Sequence, residues 1–94
     1  MKIAGFDWDE GNITKCQKHG VLIKEIEAVF HANPLVNINK RHQTSEERFS
    51  AVDIRRKGNG IFVVFTYREQ NKQVLIRPIS ARYMHQKEKD FYER

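Results

Sequence analysis

Ile61-Phe62-Val63-Val64-Phe65-Thr66-Tyr67 is an unbroken run of apolar and β-branched residues. It predicts a strand buried on both faces, in the middle of a sheet. Gln73-Val74-Leu75-Ile76-Arg77-Pro78-Ile79-Ser80 predicts a second strand. The short polar stretch Arg68-Glu69-Gln70-Asn71-Lys72 between them predicts a hairpin loop. Arg77 breaks the apolar pattern of the second strand, and Arg82 follows just after its expected end. An arginine inside an apolar strand is costly to bury unpaired. Arg77 therefore has a carboxylate partner, or it points into a site that needs positive charge.

The rest of the pattern supplies the flanking elements. Residues 3–8 are rich in strand formers and predict a short first strand. Asp9-Glu10-Gly11-Asn12 predicts a turn that sets acids at a helix N-terminus, with a short helix over 13–19 behind it. Gly20 sits where a capping glycine belongs. A second helix spans 22–31, with Leu22, Ile23, Ile26, Val29 and Phe30 on one face and Lys24, Glu25 and Glu27 on the other. Asn33-Pro34 ends it, since a residue before proline avoids the helical region. Residues 35–38 predict a strand, 39–45 a loop, and 46–52 a strand anchored by Phe49. Arg55-Arg56-Lys57-Gly58-Asn59-Gly60 reads as a basic turn, and Ser80 as the N-cap of a last helix reaching about Tyr92. The order β-α-α-β-β-β-β-α, with short connections, predicts a small antiparallel sheet and the α+β class. No repeat or linker divides residues 1–94, so one domain is expected.

Composition narrows the picture. Hydrophobic residues at 39% and charged residues at 31% fit a folded soluble chain of 94 residues with a modest core. No apolar run is long enough for a bilayer, and Met1-Lys2-Ile3-Ala4-Gly5-Phe6-Asp7 lacks a signal peptide's apolar stretch. A single cysteine, Cys16, excludes an internal disulfide and makes a reducing cytoplasm the expectation. The net charge of +5 points to an acidic partner, either nucleic acid or an acidic protein, and does not choose between them.

The four histidines, His19, His31, His42 and His85, lack ligand spacing, and no second cysteine accompanies Cys16. No metal site is expected. Cys16 lies one turn before His19, close enough to meet it on a helix face, but a small half-buried thiol is the simpler expectation. Gly58-Asn59-Gly60 precedes a strand rather than a helix, so no loop cradles a nucleotide phosphate and no cofactor is expected. What remains is a set of cations: Arg48, Arg68, Arg77, Arg82 and Lys87. Guanidinium forks suit phosphate and a phosphorane-like transition state. RNA cleavage without a metal also needs proton transfer. Lys18 and His19 are the nearest candidates for it, with His85 and Tyr92 behind them. The competing reading pairs the arginines with Glu46, Glu47 and Glu88 as a solvated face.

Several short motifs carry a resemblance over nearly the whole chain. They are Phe6-Asp7-Trp8-Asp9, Lys18-His19-Gly20-Val21, Glu25-Ile26-Glu27-Ala28-Val29-Phe30 and Glu46-Glu47-Arg48-Phe49, then Thr66-Tyr67-Arg68, Ile79-Ser80-Ala81-Arg82, Lys87-Glu88 and Tyr92. In this order and spacing the chain resembles the BrnT family of bacterial toxins, small RelE-like endoribonucleases. The resemblance implies a metal-independent ribonuclease that blocks translation. It implies a BrnA-like antitoxin with a DNA-binding ribbon-helix-helix domain, pairing two toxins with two antitoxins. It implies Arg82, Arg77, Arg68, Lys18 and His19 as catalytic residues, and Arg48, Lys87 and Tyr92 as RNA contacts. Glu47 and Arg48 are equally readable as an ion pair, and Lys87-Glu88 as helix support. Three positions depart from the family pattern: Lys15 where asparagine is common, with Asn12 the nearest, Asp53 in place of a glycine, and Pro78 in place of an aliphatic. The alternatives are a non-catalytic module binding nucleic acid or antitoxin, and a cysteine hydrolase using Cys16 and His19.

Overall fold

The computed structural model describes residues 3–39, 46–54 and 60–93. The order is β1 (Gly5–Phe6), α1 (Glu10–Gln17), α2 (Ile23–His31), β2 (Leu35–Ile38), β3 (Phe49–Asp53), β4 (Ile61–Gln70), β5 (Gln73–Tyr83) and α3 (Gln86–Glu93). The α+β class and this order are those the pattern predicts. The expected loop at 40–45, His42, and the basic turn at 55–59 lie outside the described residues.

The five strands form one sheet in the order β1-β5-β4-β3-β2. Four are antiparallel, but β1 pairs parallel with β5, Gly5 opposite Leu75 and Phe6 opposite Ile76. The sheet is therefore mixed, a correction to the antiparallel expectation. Short loops dictate antiparallel neighbours only for consecutive strands. β1 and β5 are joined through most of the chain, so no short loop governs their direction.

β4 is inner, and Ile61, Val63 and Phe65 are buried against Cys16, Ile26, Val29, Ala51 and Ala81. Phe30 of α2 meets Phe65 edge-on at 4.9 Å. Both long strands extend further than their apolar runs. The expected five-residue loop contracts to Asn71-Lys72, whose φ values of 52° and 64° make a two-residue hairpin turn that matches the strand twist. At the other end β5 continues through Ser80 to Tyr83, with Ser80 opposite Val64 and Arg82 opposite Phe62. Ser80 is thus a strand residue rather than an N-cap, and α3 begins only at Gln86. The unused length of β4 offers hydrogen-bonding partners that outweigh a local capping preference.

Pro78 stands in an inner strand, where it has no N–H to give. The register resolves this: Val64 faces Ser80 while Phe65 faces Pro78, leaving Ile79 as a bulge. The bulge has a second effect. Arg77 and Arg82 are an odd number of residues apart, and a regular strand would point them to opposite faces. With the extra residue, Arg77 faces Thr66 and Arg82 faces Phe62, and both arginines share the sheet face away from the main core.

Helix α1 starts three residues earlier than the apolar pattern predicts. Asp9 is the N-cap of a capping box in which its carboxylate accepts from the Asn12 N–H, while Asn12 Oδ1 accepts from the Asp9 N–H. The buried Asn12 amide also donates to the carbonyls of Asp7 and Pro78, each at 2.9 Å. This side chain seats the helix on the bulge. Past the helix, Gly20 takes φ +90°, the left-handed conformation expected of it.

Candidate active site

The face shared by Arg77 and Arg82 also presents Ser50, Phe62, Val64, Thr66, Arg68 and Ser80, by their cross-strand positions. Two cavities open on it. The larger, about 530 Å³, is lined by Arg82, His19, Ser50, Ser80, Glu88 and Tyr92, among others. The smaller, about 260 Å³, is lined by Lys15, Glu46, Arg48, Arg68 and Arg77 beside the bulge. The structure therefore divides the residues that the sequence groups together. Arg82, His19 and Tyr92 meet in one place, and Arg48, Arg68 and Arg77 in another. Lys18 is the exposed C-cap of α1 and does not line the Arg82 cavity, and the exposed Lys87 on α3 does not either.

Arg82 stacks over Phe62, 4.7 Å from the ring centroid. Its fork donates to both oxygens of Glu88 at 2.7 and 2.8 Å. Glu88 also accepts from the His85 N–H at the start of α3. Those two interactions, the arginine first, pull its carboxyl down to about 2. Because this pKa is depressed, the clamp is complete above the ordinary value of 4.5 and is lost as pH falls toward about 2. A carbon-detected titration should place the Glu88 midpoint near 2, and a midpoint near 4.5 would mean that the clamp does not form in solution. The clamp ties α3 to β5.

Arg77 has the carboxylate partners that its strand position demands: Asp9 at 2.9 Å and Asp7 at 3.4 Å. The Asn12 N–H first, and Arg77 second, hold the Asp9 carboxyl below its ordinary value. Arg68 pairs with Glu46 at 3.3 Å. Among the described residues no ion pair joins Glu47 to Arg48, and Glu88 serves Arg82 rather than Lys87. Thr66 Oγ1 donates to the Glu47 carbonyl at 2.8 Å and fixes the approach to β3.

Cys16 is fully buried in the core, not half-buried as expected, and burial pushes its thiol up to about 11. A thiol so placed is not a nucleophile at neutral pH. Iodoacetamide should leave Cys16 of the folded protein unmodified, and mass spectrometry of the native protein checks this. His31 lies edge-on to Phe6 at 6.1 Å, and His85 is exposed. No group of three or more His, Cys, Asp or Glu among the described residues is placed to hold a metal ion. No helix among them is long and apolar enough to cross a membrane.

Sequence reasoning missed Lys15 in the smaller cavity and Ser50 and Ser80 in the larger. Lys15 follows Asn12 at i+3, a helix-neighbour spacing that becomes visible once α1 is started at Glu10. Ser80 was hidden by its reading as a cap.

Fold and site together define a small basic α+β protein whose sheet face away from the main core carries arginine-lined cavities. The chain belongs to the family of BrnT ribonuclease toxins of type II toxin–antitoxin systems, whose profile matches residues 8–88. As such a toxin it acts on RNA and has an antitoxin partner. A search of curated proteins finds no match.

Proposed function

We propose that the chain is a cytoplasmic, metal-independent endoribonuclease that blocks translation, with the Arg82 cavity as its active site. The observation that carries this reading is a guanidinium fork lining the larger cavity, which His19, Ser80 and Tyr92 also line. In the step proposed, the RNA 2′-oxygen attacks the adjacent phosphorus as its proton passes to a base. The 5′-oxygen then leaves with a proton, giving a 2′,3′-cyclic phosphate. Arg82 stabilises the charge that develops on the phosphorane. His19 and Tyr92, which line the same cavity, are the candidate proton-transfer groups. Glu88 engages two of the five guanidinium N–H groups, so Arg82 retains donors for phosphate. Lys18 and Lys87 lie outside the cavity and act as general cations on the approaching strand.

A BrnA-like ribbon-helix-helix antitoxin is the proposed partner, in an assembly of two toxins and two antitoxins that contacts DNA through the antitoxin. The test is cleavage of RNA by the purified toxin in EDTA, with analysis of the product ends. Cyclic phosphate ends, and their loss when antitoxin is added, are the expected result.

One observation favours a second reading. Arg68, Arg77 and Arg82 all have carboxylate partners, which suits a non-catalytic module. That module would bind RNA or antitoxin and leave RNA intact, with or without ribosomes present.

A further inference from the structure

We infer that the smaller cavity, between α1 and the β5 bulge, is a second phosphate subsite, one that holds a backbone phosphate of the RNA some nucleotides away from the phosphate at Arg82. The inference rests on the ribonuclease reading above. Four cations, Lys15, Arg48, Arg68 and Arg77, line the cavity against one carboxylate, Glu46. They are not equally available. Arg77 is held by Asp7 and Asp9, and Arg68 by Glu46. Among the described residues, Lys15 and Arg48 have no ion pair.

Arg48 is the decisive residue. Its Nε–H is buried and has no hydrogen-bond acceptor among the described residues. A buried donor left unmade costs about 1–3 kcal/mol, and folded proteins leave few such groups. An anion oxygen in the cavity would satisfy it. A volume of about 260 Å³ admits a phosphate with its waters, given roughly 30 Å³ per water.

The bulge sets the distance between the subsites. Arg77 lies opposite Thr66 and Arg82 opposite Phe62, four residues along β4, so the two stand on one face about 13 Å apart at ~3.3 Å per residue. That is several times the ~3.4 Å rise per nucleotide of one strand. A single phosphate cannot reach both arginines, but one RNA strand laid along β5 can. An acidic segment of the antitoxin is the rival occupant. Continuity with the Arg82 cavity on the same sheet face favours RNA.

The test uses antitoxin-free toxin and an octanucleotide with 2′-O-methyl groups, which cannot be cleaved by 2′-oxygen attack. Affinity is measured across a salt series. Arg48→Ala should weaken binding about tenfold and lower the salt slope by about one. Lys15→Ala should act in the same direction. Binding of a dinucleotide, too short to span the subsites, should be unchanged in both. Arg48→Ala should melt no lower than the wild type, because the donor it removes is unsatisfied.

An octanucleotide affinity unchanged in both variants, while Arg82→Ala still loses cleavage, overturns the subsite and leaves the ribonuclease reading intact. Weakened antitoxin binding with unchanged RNA binding assigns the cavity to the partner and overturns the inference. The same holds if inorganic phosphate stabilises the wild type and not Arg48→Ala, yet RNA affinity is equal in both. No RNA binding or cleavage by the wild type overturns both readings together.

Discussion

Arg82→Ala is expected to slow RNA cleavage by about 100- to 1000-fold, the loss typical when one donor to a developing oxyanion is removed. The fold should survive. The side chain is about a third exposed and touches Phe62 and Glu88 rather than the main core. A solvent-exposed ion pair contributes about 1 kcal/mol at most, so the melting temperature should move by only a few degrees. The substitution also untethers α3, however, and a loss of activity by that route would look the same. Glu88→Gln separates the two causes. It breaks the clamp and leaves the guanidinium in place. If Arg82 acts on phosphate, Glu88→Gln keeps cleavage or raises it, because the fork is released from an intramolecular carboxylate. If Arg82 only holds α3, both variants lose activity to the same degree. Full cleavage by Arg82→Ala would move the active site elsewhere. Arg82→Lys should recover only part of the loss, since an ammonium keeps the charge without the fork.

The elements that periodicity reveals are those whose neighbours agree with their local pattern. α2 has Ile26 and Val29 facing the core, and β4 begins at Ile61 as its apolar run does. Two of the failures, in β5 and β1, share one cause, which is that the deciding partner lies far along the chain; the third, at the start of α1, is local. β5 passes Ser80 because β4 is long enough to pair with it. β1 runs parallel to β5 because no short loop joins them. α1 starts at Glu10 because an asparagine, rather than the usual Glu or Gln, closes the capping box.

The site follows the same logic. The residue types and their rough neighbourhood along the chain pointed to Arg68, Arg77 and Arg82. Their division into two cavities depends on the bulge at Ile79, which Pro78 hints at but does not dictate. The passage from strand to helix comes at Met84-His85, just past Arg82, which is the next-to-last residue of β5.

The largest expected effect on stability belongs to Asn12, a polar side chain. Asn12→Ala removes two donors and one acceptor from a site that is only 5% exposed. The Asp7 and Pro78 carbonyls lose their amide partner, and the Asp9 N–H loses its acceptor. Buried groups left unmade cost about 1–3 kcal/mol each, and loss of a helix cap about 1 kcal/mol. Partial access of water offsets some of this, so a loss of about 2–4 kcal/mol is expected in urea denaturation. For a chain of this size that is roughly 10 °C or more in melting temperature. Asn12→Asp should be at least as harmful, since it sets a carboxylate against two carbonyl oxygens. The effect should also reach the RNA site, because Asn12 and Lys15 both line the cavity beside the bulge. The Asp9 carboxylate that holds Arg77 belongs to the same capping box. If Asn12→Ala melts with the wild type, the amide does not bridge helix and bulge in solution. Pro78 alone would then have to hold the register that brings Arg77 and Arg82 to one face.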